Sequence, residues 1–268
     1  MRRLAAVFIG VLLIPPMLHA DKAVKCSVQT LAACPKIGCS KPGSPLSVTN
    51  SLKRTTAING SPTKVTFEDL KALQDDVDEK FANRPIPVAG QMVTSPRNMK
   101  AAPRKIILSG LKAKTDKFTE GNFVELTGFI ASTKKAPHPN TGESVNCKLK
   151  DEPSNDYHIN ITPQKNEDET EGVVVEMIPQ NSNRKNHDWN LDKLKKIQVQ
   201  QMPVRIRGRL FYDDEHVPNT KKTGKSGGQP KRFSVWEIHP LSSFEVCLAS
   251  TCSDTSGWKP LEDWTPAN

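Results

Sequence analysis

The sequence predicts a mainly β protein with short helices, built around a five-stranded Greek-key barrel. Three observations lead to this fold class. Alternating or β-branched segments recur between residues 105 and 247, and Gly128 lies in the first long one, where closing a small barrel would require a bend. A short helical segment also separates the third long strand from the fourth. Only 36% of the 268 residues are apolar, so long polar stretches must accompany the core.

The order of the strands distinguishes between two candidate β folds, an OB barrel and a small β-sandwich. Short and long strands are predicted at 106–108, 123–130, 157–161, 173–178, 204–211 and 233–246. After the third long strand, Asn190 caps a segment with Leu191, Leu194 and Ile197 at helical spacing. Three strands, a short helix and two strands is the order of an OB barrel, whereas a small β-sandwich would not need the helix.

The first 20 residues have the pattern of a secretory signal. Arg2 and Arg3 precede the apolar run 5–14, two prolines end it, and Ala20 offers a small residue for cleavage. A retained N-terminal anchor is the alternative interpretation. No other apolar run approaches the length of a membrane span. We therefore expect a periplasmic or secreted protein without a transmembrane segment after cleavage.

Six cysteines follow the predicted cleavage site, and an even number in an exported chain predicts disulfides. They are Cys26, Cys34, Cys39, Cys147, Cys247 and Cys252. Their grouping predicts at least one local bridge in each of the clusters 26–39 and 247–252. The remaining pairing stays open, because six cysteines allow 15 connectivities.

The rest of the chain divides by composition. Residues 21–64 are predicted to be a basic, Cys-containing segment of low order. Thr66 and Asp69 then form a capping box, and apolar residues at spacings of three and four predict an amphipathic helix over 65–82. Four prolines predict a linker over 83–104, and the barrel is expected at 105–247. The tail 248–268 contains two tryptophans that either fold back onto the barrel or anchor a partner.

The positive charge is concentrated before the barrel. Residues 21–120 carry 17 basic and 9 acidic side chains, whereas residues 121–268 carry 19 and 20. The N-terminal part is therefore either a solvated tether or an arm that binds anionic surfaces weakly. A nearly neutral barrel makes nucleic acid an unexpected partner.

A group of histidines and carboxylates is the main candidate site. His158 and Glu176 lie on neighbouring predicted strands, His216 follows the fourth strand, and Glu237 and His239 share one face of the fifth. Three imidazoles with carboxylates would suit a divalent transition metal such as zinc, which activates water, and a free imidazole would suit a general base. Alternatives are a structural hydrogen-bond network and chance placement.

A second candidate is a basic face on the fourth strand. Arg205, Arg207 and Arg209 alternate there, and the following loop 217–232 adds Lys221 and Lys222. These residues would bind a ligand at the loop between strands four and five, which OB folds often use. The alternative is an arginine face that is paired with carboxylates on a neighbouring strand.

Several short segments recur together in a known pattern. They are Cys-Pro-Lys-Ile-Gly-Cys at 34–39, Asn-Ser-Leu-Lys-Arg at 50–54, Thr-Phe-Glu-Asp-Leu at 66–70, Tyr-His-Ile at 157–159, Val-Glu-Met-Ile-Pro at 175–179, Val-Arg-Ile-Arg-Gly at 204–208, Phe-Tyr-Asp at 211–213 and Trp-Glu-Ile-His-Pro at 236–240. Together they resemble a loose family of uncharacterised secreted bacterial proteins with an OB-like domain. The resemblance implies that His158, Glu176, His216 and His239 are shared positions, and it implies no activity. The Lys-rich insertion at 217–232 departs from the family.

These observations predict a non-enzymatic binding or accessory module that uses the barrel face and the loop 213–232. One alternative is a metal-dependent hydrolase, for example of phosphodiesters, that uses His158, Glu176, His216, Glu237 and His239. Another is a structural component of the cell envelope. The sequence leaves open whether any catalysis occurs and which ligand is bound.

Overall fold

A computed structural model describes residues 26–82, 85–132, 137–218, 231–249, 252–253 and 255–266. The predicted signal segment and the candidates Lys221 and Lys222 lie outside these residues. The helices are α1 Pro45–Lys53, α2 Phe67–Ala82, α3 Ala101–Ile107, α4 Ser182–Lys185 and α5 Leu191–Gln200. The strands are β1 Thr63–Lys64, β2 Ile86–Val88, β3 Gln91–Val93, β4 Leu111–Lys112, β5 Lys117–Phe118, β6 Phe123–Ile130, β7 His138–Asn140, β8 Asp156–Thr162, β9 Val173–Met177, β10 Pro203–Tyr212, β11 Trp236–Cys247 and β12 Trp258–Pro260.

Five of the strands close into a barrel, which confirms the predicted mainly β fold. Their order is β6–β8–β9–β11–β10, and β10 pairs again with β6. The pairs are antiparallel except for β9 with β11, which are parallel. Helix α5 lies between β9 and β10 in the chain, where the sequence predicted it, and Asn190 caps it by accepting a hydrogen bond from the Lys193 amide. The long strands therefore form where the alternating pattern predicted them.

Gly128 lies where β6 meets β8 to close the barrel. A Cβ at this position would come within 2.6 Å of the Thr162 carbonyl oxygen on β8. Only a residue without a side chain allows the two backbones to approach so closely. The predicted role of Gly128 in closing the barrel thus has a steric cause.

The core fills the barrel and continues under α2. Alternate residues of the barrel strands supply most of the apolar core, and Leu70, Leu73, Val77 and Phe81 of α2 join it. The capping box is present, because the Asp69 carboxylate accepts from the Thr66 amide while the Asp69 amide donates to the Thr66 hydroxyl. The helix predicted over 65–82 therefore packs on the barrel.

Three sequence expectations before the barrel are wrong. The segment 83–104 is not a plain linker, since β2 and β3 pair in it and α3 begins at Ala101. Residues 106–108 end that helix and form no strand. Pro103 misled the prediction, although proline is tolerated in the first turn of a helix. The described part of the segment 21–64, residues 26–64, is more ordered than expected, because Ser44 caps α1 with Pro45 at its first position.

Three disulfides pair all six cysteines. Cys26–Cys39 and Cys247–Cys252 are the predicted local bridges, and Cys34–Cys147 joins residues 113 apart. The tail folds back, since β12 pairs with β11 and Trp264 enters the core. Within the described ranges, no helix combines the length and the apolar character that crossing a membrane demands.

Candidate functional site

The outer face of the barrel carries buried polar residues on three adjacent strands. His158 of β8 lies directly opposite Glu176 of β9, and Val175 of β9 is in register with Ile238 of β11. Because side chains alternate along a strand, Glu176 points outward between His158 on one side and His239 with Glu237 on the other. The sequence prediction that these four side chains converge agrees with this register.

Glu176 lies at the centre of the group and contacts both histidines. Its Oε1 is 3.1 Å from Nε2 of His158, and its Oε2 is 3.1 Å from Nδ1 of His239. All three residues are about 1% exposed. One carboxylate is therefore shared between two imidazoles, and water is largely excluded from the contacts.

Two further carboxylates lie behind the imidazoles. Glu143, from the loop between β7 and β8, places Oε1 3.8 Å from the same Nε2 of His158. Asp156 places Oδ2 3.6 Å from Nε2 of His239, and its Oδ1 accepts a hydrogen bond from Asn146 at 2.9 Å. Acids and imidazoles thus alternate from Glu143 to Asp156.

The network continues from His239 toward the end of β10. Glu237 lies 3.5 Å from Nδ1 of His239 and pairs closely with the buried guanidinium of Arg232. Arg232 also lies 3.5 Å from Asp213, which pairs with His216. His216 therefore reaches the predicted cluster only through Asp213 and Arg232, and it does not join His158 and His239 as a common ligand.

Helix α1 covers this face with polar side chains. Ser47, Thr49, Asn50 and Lys53 are its buried residues. Thr49 donates to Asp214 at 3.1 Å, and Asn50 donates to the Ser144 hydroxyl at 3.0 Å. The Lys53 ammonium lies 5.7 Å from the centre of the Phe211 ring. The disulfide Cys34–Cys147 ties the same N-terminal segment to the loop that carries Glu143.

The charges shift the pKa values of the buried groups. Burial, the largest single cause, would lower the pKa of His158 and of His239, but Glu176 and the other adjacent carboxylates together outweigh it and raise both. Burial likewise opposes the ionised form of Glu176, yet the imidazoles and Lys53 hold its pKa well below the ordinary value. Burial and the nearby Glu143 charge raise the pKa of Asp156 to about 7. The centre thus favours an ionised Glu176 between cations.

We call this group the Glu176 cluster. It comprises Lys53, Glu143, Asp156, His158, Glu176, Asp213, Arg232, Glu237 and His239. With neutral imidazoles, its five carboxylates face only two permanent cations. Buried charge of one sign is costly unless it is paired. The cluster therefore needs protons on its imidazoles or on carboxylates such as Asp156, or an additional cation.

Two sets of side chains in the cluster could hold a metal ion, and both include Glu176. One set is Glu143, His158 and Glu176, and the other is Asp156, Glu176 and His239, with ligand atoms within 4.8 Å of one another in each. A tetrahedral metal places its ligand atoms about 3.4 Å apart. The first set fits this better, because both contacts converge on Nε2 of His158. His239, held by Asp156, then orients Glu176 from behind.

Several buried atoms of Asp156, Glu237 and His239 make ion-pair contacts but no hydrogen bond. Among the described residues, these atoms are Oδ2 of Asp156, Oε2 of Glu237 and both ring nitrogens of His239, whose ion-pair distances are 3.1–3.6 Å. Such buried atoms normally have a hydrogen-bond partner.

The predicted arginine face is paired with carboxylates. Arg205 and Arg207 both contact Glu125 of β6 and Glu245 of β11, at 2.6–3.9 Å. Arg209 donates to the Ala57 carbonyl at 2.8 Å. A face paired with carboxylates of the neighbouring strands, the alternative stated above, therefore describes Arg205 and Arg207 better than a ligand-binding face does.

Sequence reasoning found the strand-borne half of the cluster and missed the rest. His158, Glu176, Glu237 and His239 were detectable because alternation puts them on one face. Asp156 shares that face with His158 by the same rule. Glu143 and Lys53 come from segments outside the barrel, and no local pattern connects them with it.

No protein-family model, curated protein or solved structure matches this chain. The cluster is therefore defined by its own geometry.

Proposed function

We propose that the protein is an exported, non-enzymatic binding module on an OB-type barrel, and that it binds a divalent transition metal at the Glu176 cluster. The strand order and the helix between the third and fourth barrel strands support the OB assignment. OB folds bind ligands on the face of their second and third strands and on the loops 1–2 and 4–5. Here β8 and β9 occupy those strand positions, and the loops supply Glu143 and Asp213.

One observation carries the metal assignment: each oxygen of the buried Glu176 faces a different imidazole nitrogen at 3.1 Å. Imidazole with carboxylate is a donor set that zinc and related divalent metals accept. A metal at Glu143, His158 and Glu176 would also compensate the excess negative charge of the cluster. No other group of described residues combines these features, because the cysteine group at Cys26, Cys39 and Cys147 is bridged.

Binding is favoured over hydrolysis by burial and by charge. The two histidines and Glu176 are almost completely covered, so a substrate has no direct approach to them. A phosphodiester would also bring negative charge to five carboxylates, which repel it. The hydrolase alternative with His158, Glu176, His216, Glu237 and His239 is weaker for both reasons, and His216 is held apart by Asp213.

Export and family are parts of the same proposal. Three disulfides suit an oxidising compartment, which agrees with the signal pattern of residues 1–20. The residues that carry the resemblance to secreted OB-like proteins include His158, Glu176, Asp213, Glu237 and His239, which build the cluster. This overlap supports a shared ligand site.

The test is metal content and zinc affinity of the mature chain, residues 21–268, produced in an oxidising compartment. Elemental analysis would be followed by removal of metal with a chelator and calorimetric titration with zinc. His158→Gln and Glu176→Gln remove ligands at nearly constant volume. His187→Gln is the matched control, since this histidine is exposed in a loop.

We expect about one equivalent of metal in the wild type and in His187→Gln, and none in the two ligand variants. Circular dichroism would verify that all four proteins are folded. Absence of metal and of zinc binding in the wild type would refute the proposal and leave a structural ion network. Zinc-dependent cleavage of bis(p-nitrophenyl) phosphate, lost in His158→Gln, would instead establish the hydrolase.

A further inference from the structure

Helix α1 packs on the barrel through polar residues, whereas a helix that packs on a core usually buries apolar ones. Its buried residues Ser47, Thr49, Asn50 and Lys53 are all polar. None of the apolar core residues of the described chain belongs to α1. The contact between α1 and the cluster thus resembles a polar interface, which the hydrophobic effect stabilises little.

Lys53 brings a cation into the same carboxylates that the metal would use. It is 2% exposed, its ammonium lies 5.7 Å from the centre of the Phe211 ring, and the same ring lies 5.5 Å from that of His239. The charges of Asp213, Glu143, Glu176 and Glu237 act on it there. Burial by itself lowers the pKa of Lys53, but these four carboxylates raise it well above the ordinary value. The ammonium therefore remains charged, and two of its four partners are ligands of the better metal set.

The segment that carries Lys53 is fastened at a few points. Cys34 is bridged to Cys147, the Cys39 amide donates to the Ser144 carbonyl at 2.9 Å, and Asn50 donates to the Ser144 hydroxyl. Gly38 makes the close approach possible, since a Cβ there would lie 2.1 Å from the same carbonyl oxygen. These contacts all attach the segment to the loop that also carries Glu143.

We propose that residues 26–54 form a lid that places Lys53 in the Glu176 cluster as an internal cation, in competition with the metal. This inference rests on the proposed function and describes its regulation. A divalent ion at Glu143 and Glu176 and the Lys53 ammonium repel each other strongly at low effective dielectric. Metal binding must therefore work against Lys53 or displace it with the lid, and the Cys34–Cys147 bridge limits that displacement.

The first experiment removes the internal cation. Zinc affinity of the chelator-treated mature protein would be compared with that of Lys53→Met, which keeps length without charge, and of Lys53→Arg, which keeps the charge. Lys36→Met is the matched control, because Lys36 is exposed on the same segment. We expect zinc to bind Lys53→Met at least about tenfold more tightly than the wild type, while the other two variants change little.

The second experiment loosens the lid by removing its disulfide and keeps Lys53 in the sequence. We expect Cys34→Ser/Cys147→Ser to bind zinc more tightly than the wild type, whereas Cys247→Ser/Cys252→Ser, which removes a bridge at the other end of β11, does not. If Cys34→Ser/Cys147→Ser fails to fold, the Lys53→Met comparison still decides.

The outcomes separate the two proposals. Equal or weaker zinc binding by Lys53→Met, in a wild type that binds zinc, would overturn the lid inference alone. Absence of binding in both proteins would overturn the proposed function and the inference together. Zinc binding by Lys53→Met that is at least about tenfold tighter than that of a zinc-binding wild type would support the lid.

Discussion

The inner and outer faces of β8, β9 and β11 are equally buried but chemically opposite. Inside the barrel, Ile159, Val175 and Ile238 are apolar and fully enclosed. Outside, His158, Glu176 and His239 alternate with them and are just as inaccessible. The inner face is covered by the opposite wall of the barrel, whereas the outer face is covered by α1 and the loop with Glu143.

The difference indicates which face determines the fold and which one serves function. Apolar burial is the main favourable contribution to folding. A buried ionic group rarely stabilises more than apolar residues of similar volume would. Retaining the five carboxylates of the Glu176 cluster is therefore poor for stability, and the proposed cation-binding role would account for it.

The largest expected effect is a loss of stability caused by a substitution on the inner face alone. Ile238→Ala should lower the free energy of unfolding by about 2–5 kcal/mol, because it leaves a cavity in the core. Its side chain points away from Glu237 and His239, so zinc binding should persist wherever the variant is folded. Chemical denaturation and calorimetric titration would measure the two effects. Loss of zinc binding by a folded Ile238→Ala protein would show that the faces are not independent.

A smaller effect concerns the pH dependence of the metal-free outer face. The pKa values of His158 and His239 are raised in the folded protein, so the folded state keeps protons that the unfolded state releases above the ordinary value of 6.5. The stability they contribute is complete below that pH and is lost as pH rises through the folded-state pKa. The slope is at most about 1.4 kcal/mol per pH unit for each group.

Denaturation at a series of pH values would measure this slope. The wild type should lose stability above pH 6.5 more steeply than His158→Gln/His239→Gln, with His187→Gln behaving as the wild type. Identical slopes in all three proteins would mean that the buried imidazoles are not protonated in the folded state.

The smallest effect concerns the partly exposed arginine face of β10. Arg207→Gln removes contacts to Glu125 and Glu245, but partly exposed ion pairs contribute only about 0–1 kcal/mol. We expect a change in that range by chemical denaturation and unchanged zinc affinity. A loss of several kcal/mol would place Arg207 with the buried cluster and not with the surface.

The alternation of residues made the barrel and half of its site predictable. It placed the five long strands of the barrel and put His158, Glu176 and His239 on one face, although the short strand predicted at 106–108 is the end of α3. Prolines were less informative. Pro103, one of the four prolines that predict a linker, lies in the first turn of α3, and Pro45 begins α1 inside the segment predicted to be of low order. Ser44 before Pro45 was the available signal for α1.

The remaining half of the site depends on contacts distant in sequence. Lys53 lies at the end of a helix whose buried side is polar, so its sequence resembles that of an exposed helix. Glu143 lies in a loop whose position depends on the Cys34–Cys147 bridge, and the cysteine count left that pairing open. His216 has the right residue type, but its imidazole pairs with Asp213, three residues earlier, and not with Glu176.

Asn160 has a consequence for how the protein is produced. It follows His158 on the outer face, is 3% exposed, and donates Nδ2 to the Lys231 carbonyl at 2.8 Å. Asn160, Ile161 and Thr162 also form an acceptor sequence for N-linked glycans. An oligosaccharide on that nitrogen is bulky and requires a surface position. A eukaryotic secretory host that glycosylates the nascent chain would therefore yield material that cannot complete this face, whereas a bacterial host would not modify it.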